Sequence, residues 1–314
     1  MTNDLPHPSA ARLAFPAMLT GSIALAFGPW LVRSADVPPA ASAFWRMGLA
    51  VVPLALLAVA VRARGGWAAA GGEAVASLGP SRGQAWPHGT QLTVIGVAGI
   101  LFALDLVLWH LGIGRTTLAN ATLVGNCASF LLPAYGFVVA RAWPGRVQAL
   151  ALLCAAAGIG LLIGHSADVS ASHLTGDLLC IGAGVAYAAY FIAVDRVRAT
   201  VAPLPLLAMA TAFGALALWP VAALTGPVMA HDWTPLILLA LGSQVIGQGL
   251  IVFAIGYLPP LVVGLTLLVQ PAIGATIGAW RYGEVVGPAE LGGMALVAVA
   301  LVLVRLPERA AAVA

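Results

Sequence analysis

Charged residues are scarce in this chain of 314 residues: they make up 8% of the sequence, and lysine does not occur. Soluble domains carry roughly 25% charged residues. Hydrophobic residues account for 61% of the sequence, and the mean hydropathy is +1.00. The composition therefore excludes an ordinary soluble protein and indicates that a lipid bilayer surrounds the folded chain.

Basic clusters and catalytic motifs are also lacking. The 14 basic residues are all arginines and are spread along the sequence, so we expect no nucleic-acid partner. The cysteines Cys127, Cys154 and Cys180 lie within apolar runs, where a thiol behaves as a small buried hydrophobe. No HExxH, GxSxG or P-loop motif occurs, so we expect neither an enzyme nor a cofactor.

Ten apolar runs follow one another along the chain, each close to the length of about 20 residues that crosses a bilayer as a helix. They lie near residues 13–32, 41–61, 91–113, 116–140, 147–164, 175–194, 203–225, 234–256, 260–280 and 287–304. The longest connection, residues 62–90, is rich in glycine and alanine and is typical of a flexible linker. The sequence predicts an all-α membrane protein with ten transmembrane helices.

Arginine placement predicts the orientation, because translocated loops are depleted of arginine and lysine. With the N-terminus in the cytoplasm, ten of the 14 arginines fall on the cytoplasmic side. Arg33, Arg115 and Arg281 face outward. Arg46, just inside the second run, either attracts a carboxylate or, as we rather expect, extends outward to the interface or pairs with Asp105. We expect a multi-pass inner-membrane protein with both termini in the cytoplasm.

A weak internal repeat divides the chain into residues 1–164 and 165–314. Sliding the sequence on itself by 143 residues places residues 112–127 over residues 255–270. Each half holds five runs, and an odd number makes the second half enter the membrane from the opposite face. Inverted repeats of this kind are a recurring transporter architecture, because the two halves open one central site alternately to each side.

Asp105, in the third run, is the first candidate for a binding site, because charged side chains inside a bilayer are costly and rare. It either pairs with a substrate amino group or titrates as a proton site. The alternative is an ion pair with Arg46 or His110 that fixes helix packing. We expect the carboxylate to line a cavity.

Amides supply the next candidates. Gln244 and Gln248, beside Ser243 in the eighth run, are four residues apart and share one helical face, which we expect to look into the cavity. Gln270 precedes a proline, which frees a backbone carbonyl that, with the amide, would bind a polar ligand. For these amides, and above all for Asn126 in the fourth run, the alternative is an interhelical hydrogen bond.

Aromatic residues offer stacking surfaces for aromatic or cationic substrates. Tyr187 and Tyr190 lie nearer the middle of the sixth run and are the stronger candidates. Trp30, Trp45 and Trp109 lie near the ends of runs, where tryptophan more often anchors a helix at the membrane interface.

Three segments carry a family resemblance: FWRMGLA (44–50), LPAYGFVVARAWP (132–144) and VQPAIGATIGAWRYGEVVGPAELGGMALVAVALVLV (269–304). In this order, and with five runs in each half, the chain resembles the EamA-type transporters of the drug/metabolite transporter superfamily. The family's Gly-Glu turn fits Gly283 and Glu284, whereas Ala140 and Arg141 occupy the first-half position. Among the family's branches the chain looks most like a bacterial amino-acid exporter.

The resemblance and the residues together predict a secondary transporter, independent of ATP, that exports small metabolites, amino acids first, by alternating access. Pro29, Pro133, Gly247 and Pro271 are the expected hinge positions, because each relaxes the helical hydrogen-bond ladder. A homodimer is a further option. The alternatives are an exporter of cationic drugs or nucleotide-like metabolites and, more distantly, a membrane enzyme using the loop residues His165, Asp168, His173 and Asp177, whose spacing matches no metal motif.

Overall fold

A computed structural model describes residues 8–63, 87, 89–115, 121–122, 125–164, 171–198, 200–282 and 288–303. Within these ranges all regular structure is helical. In chain order the α-helices are α1 (Pro8–Ala26), α2 (Gly28–Ser34), α3 (Pro39–Ala63), α4 (Thr90–Ile113), α5 (Ala128–Ala140), α6 (Arg146–Gly164), α7 (Ala171–Arg198), α8 (Pro203–Thr225), α9 (Thr234–Leu238), α10 (Gln248–Ile255), α11 (Pro260–Leu267), α12 (Val269–Tyr282) and α13 (Pro288–Leu303). A π-helix, Leu239–Gly247, joins α9 to α10.

Seven helical stretches of the described residues are long and apolar enough to cross a membrane: Ala11–Ser34, Pro39–Val61, Thr90–Ile113, Leu174–Arg198, Pro203–Thr225, Thr234–Ile255 and Pro260–Arg281. They coincide with predicted runs one to three and six to nine. Three shorter apolar helices, Ala128–Ala140, Arg146–Gly158 and Leu291–Ala300, coincide with the remaining runs. An all-helical protein with several membrane spans is confirmed, and the number ten stays a prediction. Most of the 62–90 linker, and the Gly283–Glu284 turn, lie outside the described residues.

The surface is apolar and the interior holds polar groups. Val52, Leu56 and Leu216 are each more than 60% exposed. By contrast, Arg46, Gln244 and Gln248 are buried, as are the hydroxyl groups of several serines and threonines. This distribution suits a bilayer, because lipid tails solvate exposed leucine and valine at no cost while they exclude unpaired polar groups.

Two membrane spans are interrupted shortly before a proline. The first breaks at Phe27, two residues before Pro29, and the ninth breaks at Leu268, three residues before Pro271. Proline has no N–H to donate, and its ring clashes with the carbonyl group four residues earlier. Both interruptions therefore follow from the sequence, at two of the four positions expected to act as hinges.

The π-helix interrupts the eighth span. At its end the Gln248 N–H donates to the Ser243 carbonyl oxygen, five residues earlier, instead of four as in an α-helix. The wider turn leaves Ser243, Gln244 and Gln248 all fully buried. Segments of π-helix occur often at functional sites, which draws attention to this stretch.

Packing between spans follows a symmetric pattern. The third span packs most extensively on the sixth, and the corresponding pair, the eighth and the first, is also in extensive contact. The second span packs on the seventh, the fourth on the ninth and the fifth on the tenth. Exchanging each span with its counterpart in the other half reproduces this pattern, as two related halves would.

Hydrogen bonds to one carboxylate, that of Asp36, join two connections at the end of the bundle that we expect to face outward. The Asp36 carboxylate, between α2 and α3, accepts hydrogen bonds from the backbone N–H groups of His231 (2.8 Å) and Asp232 (3.1 Å), between α8 and α9. Nearby, Trp45 Nε1 donates to the Val228 carbonyl oxygen at 2.6 Å. The Asp36 contacts therefore join the first and fourth of the connections predicted to face outward, and Trp45 adds a contact from α3 to the fourth.

We expect Asp36→Asn to destabilise the protein at neutral pH and to have a smaller effect in acid. The two N–H donors hold the pKa of the Asp36 carboxyl below its ordinary value. A lowered folded-state pKa contributes stability that is complete above the unfolded pKa, near 4, and is lost as the pH falls through the folded value. Melting temperatures in detergent at pH 7 and pH 3 test this. Equal differences between variant and wild type at both pH values would contradict it.

A buried arginine joins two helices at the opposite end of the bundle. Arg198, at the end of α7, donates from Nε to the Val252 carbonyl oxygen (3.0 Å) and from Nη1 to the Val201 carbonyl oxygen (3.1 Å). Its guanidinium carbon also lies 5.8 Å from the centroid of the Tyr257 ring. Arg198 was expected only to mark the cytoplasmic side, and the structure shows that it also joins α7 to the last turn of α10.

Candidate functional site

A small cavity lies inside the helical bundle, where α1, α3, α4, α7 and α12 meet. Its volume is about 50 Å³, and its lining comprises Leu25, Arg46, Phe102, Asp105, Leu106, Trp109, Gly125, Asn126, Tyr187 and Gln270. One water needs about 10–15 Å³ of such space, and sites for small molecules measure about 300–1,000 Å³. The cavity thus holds a few waters, and a larger solute requires the helices to move apart.

Two larger cavities have no charged lining. One of about 530 Å³, between α3 and the π-helix, is lined only by apolar side chains, including Leu56 and Leu57 on the outer surface. The other, of about 610 Å³, lies between α5, α11 and the start of α6, with the exposed Trp143 in its lining. Of the three cavities lined by described residues, the small central one alone has charges of both signs in its lining, so we take it as the candidate site.

Asp105 and Arg46 both line the central cavity, and they are not bonded to each other. In the part of the chain that the structure describes, no group donates a hydrogen bond to the Asp105 carboxylate, and no cation lies within 4.0 Å of it. His110, the other expected partner, has its Nδ1 within 3.1 Å of the Pro39 carbonyl oxygen and 2.8 Å of Ser42 Oγ. The ion pair considered for Asp105 is therefore not formed.

Arg46 is held by other groups. Its Nε donates to Gln244 Oε1 across a long 3.4 Å, and its guanidinium carbon lies 5.7 Å from the centroid of the Phe102 ring. Gln244 in turn donates from Nε2 to Thr211 Oγ1 at 3.0 Å. The structure therefore places Gln244 behind Arg46 and outside the cavity lining, where it fixes the position of the guanidinium.

The second expected glutamine bridges the two tyrosines. Tyr187 donates from its hydroxyl group to Gln248 Oε1, and Gln248 donates from Nε2 to the Tyr190 hydroxyl, both at 3.2 Å. Both rings also stack near Phe102, with centroids 5.9 and 4.7 Å away. Of these three expected site residues only Tyr187 reaches the cavity, while Gln248 and Tyr190 form the buried layer beneath it.

The remaining expected residues divide in the same way. Gln270 lines the cavity, and its buried Nε2 has no hydrogen-bond partner among the described residues. Asn126 also lines it, while its Nδ2 donates to the Thr122 carbonyl oxygen at 2.6 Å. Ser243 does not line the cavity, and its buried hydroxyl lies near Gly28, without a hydrogen-bond partner in the described ranges.

From the sequence, Arg46 was expected mainly to extend towards the membrane interface or to pair with Asp105. Trp109 was expected mainly to anchor its helix at the interface. Both line the cavity. A guanidinium seven residues inside an apolar helix was the available signal for Arg46. Among the described residues no three metal-ligating side chains cluster, and of the proposed loop group His165 and Asp168 lie outside these residues, as do the side chains of His173 and Asp177.

Comparison with known proteins agrees with this architecture. The chain is similar to a protein of known crystal structure, and the alignment covers 95% of this chain and 97% of the other. The TM-score is 0.64 at 18% sequence identity, so the similarity concerns the fold. No curated protein sequence matches the chain. Residues 174–306 match the EamA-like transporter family. The match supports the predicted drug/metabolite transporter superfamily and, with the apolar spans, a multi-pass membrane protein.

Proposed function

We propose that this chain is a secondary transporter of the bacterial inner membrane that exports small metabolites, amino acids in the first place. In this proposal residues 1–164 and 165–314 form two inverted five-helix repeats with both termini in the cytoplasm. The substrate binds in the central cavity, which opens alternately to each side. The gradients of solute or ion supply the energy, and the chain needs no cofactor.

The observation that carries the proposal is that two oppositely charged side chains line the central cavity without pairing with each other. An ionised side chain inside a bilayer costs several kcal/mol, by insertion scales about 2.5–3.5 kcal/mol for aspartate or arginine. Two such residues, Asp105 and Arg46, line one cavity without forming an ion pair with each other. A purely structural role would favour their direct pairing, whereas a binding site keeps both available to a solute.

Three further features support alternating access. The symmetric packing of the spans suits two halves that exchange conformations. The interruptions before Pro29 and Pro271 weaken the backbone ladder next to the cavity. The cavity volume of about 50 Å³ also fits a closed site that widens when a solute enters.

Export of cationic solutes is the second candidate. An unpartnered carboxylate surrounded by Phe102, Trp109 and Tyr187 is the combination that binds quaternary ammonium groups. Arg46 argues against this second candidate, because the positive charge of its guanidinium in so small a cavity repels a cationic substrate.

Uptake into liposomes tests the proposed function. The purified full chain is reconstituted and offered labelled amino acids, a quaternary ammonium compound and a nucleoside monophosphate, with and without a pH gradient. We expect saturable uptake of at least one amino acid, reduced at least tenfold in Asp105→Asn. Dependence on the gradient that disappears in this variant would add proton coupling.

Gln91→Ala serves as the control, because Gln91 lies at the start of α4 and bonds only the exposed hydroxyl of Thr200. It should transport as wild type does. Uptake of the quaternary ammonium compound alone would favour the second candidate. If no compound enters faster than into protein-free liposomes, the transporter proposal is wrong.

A further inference from the structure

We infer that the central cavity recognises a zwitterion at two points: the Arg46 guanidinium binds a carboxylate and the Asp105 carboxylate binds an ammonium group. This inference rests on the proposed function and names its substrate class, α-amino acids with uncharged side chains.

The Arg46 guanidinium and the Asp105 carboxylate line one cavity but do not form an ion pair with each other. A zwitterion satisfies both at once and adds no net charge to the apolar interior. A simple cation leaves the Arg46 guanidinium unpaired, and a simple anion leaves the Asp105 carboxylate unpaired, and one buried unpaired charge costs several kcal/mol. Binding energy therefore favours a solute that carries both groups.

The position of Arg46 suits a carboxylate. Guanidinium has five N–H donors in a planar fork that matches the two oxygens of a carboxylate. In the described part of the chain only Nε has a protein acceptor, Gln244, and the ring of Phe102 lies close to the guanidinium. The terminal N–H groups thus remain available for a ligand that lines up with the fork.

A second donor of the cavity has no protein acceptor. Gln270 Nε2 is buried and unbonded within the described residues, although its side chain lines the cavity. A buried donor without an acceptor is unfavourable, because it has lost its hydrogen bonds to water. A carboxylate has about four acceptor sites, so it can satisfy Gln270 as well as Arg46.

The remaining lining predicts the substrate side chain. Leu25, Phe102, Leu106 and Trp109 are apolar or aromatic. Trp109 packs directly on Gly125, where a Cβ atom would come within 3.2 Å of the indole ring. A third charge on the substrate would find no partner in this lining, so neutral amino acids are favoured over acidic and basic ones.

Competition binding on the purified full chain tests the inference. The probes are labelled leucine, leucinamide, which lacks the carboxylate, and 4-methylpentanoate, which lacks the ammonium group. We expect wild type to bind leucine at least tenfold more tightly than either analogue. In Asp105→Asn the preference for leucine over 4-methylpentanoate should disappear, and in Arg46→Gln the preference for leucine over leucinamide should disappear.

Failure of the inference and failure of the proposed function give different results. If an amino acid is transported but wild type binds leucine and both analogues alike, two-point recognition is wrong and the transporter proposal stands. If no amino acid is bound or transported, both are wrong. Should either variant fail to fold, the ranking of the three probes on wild type decides by itself.

Discussion

Gly99→Leu should prevent the protein from accumulating as a monodisperse folded species. Gly99 in α4 lies where this helix touches the backbone of α8: a Cβ atom there would strike the Ala210 carbonyl oxygen and lie 2.9 Å from Phe213 Cβ. Backbone atoms cannot turn aside as a flexible side chain can. Overpacking costs about 1–3 kcal/mol when side chains give way, so we expect about 3 kcal/mol or more here.

Size-exclusion chromatography measures the loss of monodisperse protein, and melting in detergent measures the stability of the folded fraction, with an expected fall of roughly 5 °C or more in the melting temperature. Gly96→Ala is the matched control on the same helix, because a Cβ atom there stays 3.9 Å from the Phe213 ring. The control should melt as wild type does. A Gly99→Leu variant with wild-type stability would show that α4 and α8 do not cross as described.

Gln244→Met should lower transport about tenfold while leaving a folded protein. The substitution keeps the volume but removes the acceptor that holds Arg46 Nε and the donor to Thr211. A hydrogen bond to a charged group contributes about 1.5–3 kcal/mol, and the 3.4 Å length of this one indicates the lower end. About 1.4 kcal/mol corresponds to the tenfold change.

Gln244→Glu separates the position of Arg46 from its charge. A glutamate still accepts from Arg46 Nε, so the protein should be at least as stable as Gln244→Met, but its negative charge neutralises the guanidinium and should weaken carboxylate binding. Initial uptake rates and melting temperatures of both variants decide the point. If both transport as wild type does, Gln244 does not position Arg46.

The membrane spans were predictable because bilayer thickness sets their length and because few charges interrupt them. The helix breaks near Pro29 and Pro271 lie at two of the expected hinge positions, whereas α3, α5 and α8 continue through Pro53, Pro133 and Pro220, so a proline alone does not predict a break. The family resemblance rested on segments of both halves, and the match to the EamA-like transporter family covers residues 174–306. The amino-acid branch, the repeat boundaries and the count of ten spans stay predictions.

The face that each helix turns inward was harder to predict. In a soluble helix the apolar stripe marks the core, but here lipid and core are both apolar, so residues such as Leu56 and Leu106 look alike in the sequence while one faces lipid and the other the cavity. The inward face was therefore inferred from polar residues alone. That reasoning placed Asp105, Asn126, Tyr187 and Gln270 together, as the structure does.

Polar pairing within the core could not be read in the same way. Gln244, Gln248, Tyr190 and Ser243 are buried but lie outside the cavity lining, because two of them are engaged with Arg46 and Tyr187. Their hydrogen bonds join positions 33 to 198 residues apart, which local patterns do not encode. The π-helix contains no proline, so the sequence did not predict it. It sets which of these side chains point inward.

The measurement that tests the central claim most directly is exchange across a liposome membrane. Liposomes containing the purified chain are loaded with an unlabelled neutral amino acid, and the entry of the same labelled amino acid is followed. A carrier that alternates around one cavity predicts that internal substrate accelerates entry and that entry saturates with external concentration. Entry that rises linearly with concentration and ignores internal substrate would contradict an alternating carrier and indicate an open pore.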